Sequence, residues 1–73
     1  MDYAETRELV RIRHELRHLL AERPAGADAD TQARARARTL IARLEALIAG
    51  DTEEAAVVRP ELARWQVSLV IAP

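Results

Sequence analysis

Two histidines four residues apart, with a glutamate beside the first, stand at His14-Glu15-Leu16-Arg17-His18. Side chains at that spacing on a helix project the same way. Two imidazoles so placed can grip one zinc ion, and the glutamate can draw a proton from a metal-bound water as general base. The chemistry in question is metal-assisted hydrolysis.

The surroundings argue against it. A catalytic zinc needs a third protein ligand. Glu22 lies on the same face, four beyond His18, but roughly 12 Å from His14 along a helix axis. Asp28, Asp30, Asp51, Glu53 and Glu54 would have to fold back, and none has a ligand-like spacing. Arg7, Arg11 and Arg17 surround the pair with positive charge. Leu16 belongs to an apolar stripe, so His14 and His18 point away from the core. The five-residue spelling resembles that of zinc metallopeptidases, a resemblance that implies a substrate-holding strand beside the motif. No strand pattern precedes it. The expectation is a solvated helix face on a non-enzymatic protein without a cofactor. His14 and His18 are the candidate ligands should a metal bind.

A second cluster is Arg34, Arg36, Arg38 and Arg43, with no acid from Thr31 to Leu44. A basic helix can track a phosphate backbone. Here the alternate spacing throws Arg34, Arg36 and Arg38 to both flanks of the helix instead of lining one row. The helix–turn–helix geometry around Gly50 would place an acidic, alanine-rich segment next to phosphates, which is unfavourable. The favoured expectation is that these arginines cover apolar surface with their stems and pair with acids such as Glu5, Glu8 and Glu22. Nucleic acid is the weakest of the partner readings.

The elements that position these groups follow from apolar spacing. Leu9, Ile12, Leu16, Leu19 and Leu20 make one stripe and predict a helix over 3–22. Asp2, with Glu5 three residues on, spells its capping box. Pro24 and Gly26 break it. Ala33, Ala37, Leu40, Ile41, Leu44, Leu47 and Ile48 predict a second helix over 31–49, capped by Asp28 or Asp30 and ended by a left-handed Gly50. The short loop makes the pair an antiparallel hairpin, with Tyr3 packed beside the end of the second helix. Asp51 and Glu54 predict a short helix over 52–58. Pro60 disfavours helical geometry at Arg59 and, with Glu61, opens another helix over 60–70. From Trp65 to Ile71 apolar and polar residues also alternate as in a strand, which would need a strand from another molecule.

The fold expected is therefore a small all-α bundle forming one domain over 1–73. The chain has 73 residues, no cysteine, 11 basic residues, all arginine, and 12 acidic ones. A chain this short buries only about 60% of its unfolded surface, and a disulfide cannot help it. A His/carboxylate metal site or self-association is left as a source of stability, and because the two apolar stripes make a thin core a homodimer or larger assembly is expected. The apolar C-terminal segment, through Leu62, Trp65, Leu69 and Ile71, is the expected contact surface, tryptophan being a common interface anchor. No stretch approaches the roughly 20 apolar residues of a membrane span. The first residues lack the basic-then-apolar order of a secretion signal. The class expected is a cytoplasmic interaction module: an assembly, adaptor or regulatory subunit.

Overall fold

The computed structural model describes residues 2–21 and 26–71, and side chains only as far as Leu69. It is an all-α bundle of three helices: α1 (Tyr3–Ala21), α2 (Ala27–Leu47) and α3 (Glu53–Ile71). No strand occurs among the described residues, so the alternating tail is helical as far as Ile71.

α1 begins where its capping spelling places it. Asp2 Oδ1 accepts a hydrogen bond from the Glu5 backbone N–H at 2.8 Å, satisfying one donor that the first turn otherwise leaves open. α2 starts at Ala27, earlier than residue 31. Asp28 and Asp30 sit inside its first turn, where carboxylates favour the positive end of the helix dipole, and neither is the cap. Gly26 takes that position with φ 104°, a left-handed value that glycine adopts at little cost. Gly50 has no positive φ. The end of α2 is closed instead by Ile48 N–H donating to the Leu44 carbonyl at 3.0 Å and by Arg59, which reaches back to the carbonyl of Gly50 at 3.1 Å.

The third element departs most from the local reading. One helix runs through Pro60, with no break between 58 and 60. Its cap is Thr52, whose hydroxyl accepts from Ala55 N–H at 3.1 Å, not Asp51. An interior proline removes a backbone donor and costs about 3 kcal/mol. Two sets of contacts offset that cost. Ala55, Val58, Leu62 and Trp65 bury at unbroken helical spacing across the proline. The flanking residues are also held, Arg59 by the end of α2 and Glu61 by α1.

α1 and α2 share the broadest contact, and α3 packs against both. The ion pairs give the direction. Moving back along α1 from Glu15 to Glu8, the partners move forward along α2 from Arg36 to Arg43. That is an antiparallel hairpin in register. One core holds all three helices, with Leu16, Leu44, Ala37 and Ala55 wholly buried at 0% exposure. No charged or polar residue is buried among the described residues, and none of their helices is long and apolar enough to cross a membrane.

Candidate functional site

The histidines of α1 face solvent, and the glutamate between them does not. His14 and His18 are exposed on α1. Glu15 is turned to the hairpin seam: Arg36 Nε donates to its Oε2 at 2.7 Å, and the same guanidinium reaches Oε1 at 3.3 Å. The hydrogen bond from Arg36 holds the Glu15 carboxyl below its ordinary value, against a weaker opposing effect of burial. The guanidinium occupies both carboxylate oxygens, which a general base would instead turn toward a metal-bound water. Among the described residues no group of three or more His, Cys, Asp or Glu could hold a metal ion. Glu22 lies outside the described residues. The surface beside the motif is a shallow depression lined by Thr6, Arg7, Val10, Arg11 and His14. These residues all belong to one helix, so among the described residues the depression has a single wall, unlike the concave enclosure typical of ligand sites.

The arginines of α2 are largely engaged within the chain. Arg43 makes a two-pronged pair with Glu8, at 2.6 and 2.7 Å, two helical turns from the Glu15–Arg36 pair. That hydrogen bond is also the main reason the Glu8 carboxyl is lowered. Arg34 pairs with Asp30 one turn back at 3.0 Å, and Arg38 is exposed. Two of the four cations, Arg36 and Arg43, therefore stitch the hairpin together. Glu8 was recognisable as an arginine partner from its position at the edge of the α1 stripe. Glu15 was masked by the histidines that flank it.

A third ionic cluster ties α3 to α1. Glu61 accepts hydrogen bonds from both Arg13 and Arg17, the second at 2.9 Å. Partial burial pushes the Glu61 carboxyl up, but the hydrogen bonds from Arg17 and Arg13 outweigh it and leave it below the ordinary value. Arg13 Nε is buried and has no partner, so the Glu61 carboxylate is what compensates the guanidinium there. Neither arginine stood out in the sequence as a tertiary contact, because the partner lies far along the chain.

The apolar C-terminal segment divides between two faces. Leu62 and Trp65 belong to the chain's own core, 8% and 9% exposed, and Leu69 packs against it partly buried. The side chain of Ile71 lies outside the described residues. Trp65 is thus the large plug of the intramolecular core and not an outward anchor in the single chain. On the other side of α3, Val57 and Val67 stand 61% and 53% exposed, with Pro60 exposed between them. Tyr3 does not pack on α2. It is exposed, with the Arg7 guanidinium 5.7 Å from its ring centroid, a cation–π distance.

No family model, curated protein or solved structure matches the chain.

Proposed function

We propose that this chain is a non-enzymatic helical interaction module, an assembly, adaptor or regulatory subunit, that contacts protein through the outward face of α3. The observation that carries this reading is the two-sidedness of that helix. Its inner residues fill the core, yet Val57, Pro60 and Val67 remain exposed on the opposite side. Exposed apolar side chains repeated along one face of a helix are a place where a partner can remove apolar surface from water. The other surfaces support their readings less well. Glu15 is engaged by Arg36, which weakens the case for a hydrolytic zinc at His14 and His18. Arg36 and Arg43 are neutralised by Glu15 and Glu8, which weakens the case for binding nucleic acid.

The test is site-specific photocrosslinking in the cells that produce the protein. A photoreactive residue is placed at position 57 or 67, and at position 42 on α2 as an exposed control. Crosslinks to protein from α3 alone support the reading. Crosslinking equal to the control at every position refutes it.

A further inference from the structure

α3 carries a second seam. Its inner residues, Ala55, Val58, Leu62, Trp65 and Leu69, follow the three-and-four spacing of a heptad. The same spacing recurs on the outside at Glu53, Val57, Pro60, Arg64 and Val67, all exposed. Such a stripe is the pattern by which one helix packs along another. Its two charges are opposite in sign and sit at opposite ends of a three-turn stretch. Neither Glu53 nor Arg64 has an ion-pair partner among the described residues, so both charges on the stripe are open to a partner.

We infer that the outer seam of α3 binds the same seam of a second copy of this chain, antiparallel about a two-fold axis. This rests on the reading of α3 as a contact surface and names the partner. The charges select the orientation. In a parallel pair Glu53 would face the partner's Glu53 and Arg64 the partner's Arg64, with both helix dipoles aligned. Reversing one copy brings Glu53 to the partner's Arg64 at both ends. In that register Val57 meets the partner's Pro60, and the two-fold axis repeats the contact. Each layer joins one heptad position to the other, as antiparallel helices require. A two-fold contact needs a self-complementary patch, and this stripe is one: two apolar layers closed at either end by an ion pair. Val67, one layer further out, comes over the partner's turn before α3.

Sedimentation equilibrium on the 73-residue chain tests this, with Arg64→Glu and the double variant Glu53→Arg/Arg64→Glu. The expected result is a dimer that Arg64→Glu weakens at least about tenfold and that the double reversal restores to within about threefold of the parent. Circular dichroism of each variant verifies that the helices persist. The double variant carries both substitutions, so recovery excludes a folding defect. A dimer indifferent to Arg64→Glu overturns the pairing, as does a double variant no tighter than the single one. A monomer at every concentration overturns self-association. If that monomer still crosslinks to another protein from positions 57 and 67, the contact surface stands and only the identity of its occupant is wrong. If it does not, both fall together.

Discussion

Glu15 and Arg36 face each other across the seam of the α1–α2 hairpin, Nε to Oε2 at 2.7 Å. The glutamate that spells a catalytic motif between two histidines is thereby a structural partner of an arginine that looked free to bind phosphate. One contact engages the best feature of two different functional readings.

Zinc should consequently leave the fold unaffected. A ligand that binds the folded state alone raises its stability. Added zinc is expected to produce no rise in melting temperature, either in the parent chain or in His18→Ala. A zinc-dependent rise abolished by His18→Ala would restore the metal reading.

Trp65 and Val57 should behave as opposites although both lie on α3. Trp65→Ala empties part of the core, and losses of about 3–5 kcal/mol are typical for such truncations. Since small domains have total stabilities of only about 5–15 kcal/mol, the variant should melt far earlier or lose its helical signal. Val57→Asp alters an exposed position and should keep the helical signal while weakening association. Thermal melts followed by circular dichroism, beside sedimentation, separate the two. Equal effects on folding would contradict the assignment of faces.

Pro60→Ala is expected to stabilise the monomeric fold. Alanine restores the donor that the Ala56 carbonyl lacks and removes the ring from the helix interior. The gain should be about 1–3 kcal/mol, read as a raised urea midpoint with unchanged slope. A loss of stability would mean that the proline ring makes a contact of its own.

Acid should loosen the bundle through its carboxylates. Glu61, Glu8 and Glu15 all lie below their ordinary value of 4.5. A carboxyl lowered in the folded state binds protons less readily than in the unfolded chain. Its contribution is therefore complete above about 4.5 and is lost as the pH falls through the lowered folded value. Melting temperature should fall below that pH, and Glu61→Gln should flatten the fall, because Glu61 is the least exposed of the three. A pH-independent melting temperature down to the acid limit would contradict this sign.

Spacing made α1 legible almost to the residue, because Leu9, Ile12 and Leu16 bury as their stripe requires and Asp2 caps locally. The start of α2 was less so. Asp28 and Asp30 suit a cap and a first turn equally well, and the choice fell to Gly26, which can take φ 104°. At Pro60 local preference pointed the wrong way, since the contacts that hold Arg59 and Glu61 come from residues remote in sequence. Leu62 and Trp65, expected at a contact surface, lie in the chain's own core, and the exposed Val57 and Val67 are on the other side of the same helix. A helix apolar on two sides offers two stripes, and only packing decides which of them Leu62 and Trp65 join.

The unbroken course of α3 through Pro60 has a consequence for the order in which the chain acquires its shape. Arg59 needs a finished end of α2, and Glu61 needs α1. Neither clamp exists until the hairpin is present. A peptide of residues 50–73 alone would meet the proline without either and should yield two short, fraying segments. The hairpin can therefore form first as the chain leaves the ribosome, while the third helix becomes continuous only on docking. Its full helicity reports that docking, and any event that lifts it from the hairpin should show up as a fracture near its middle.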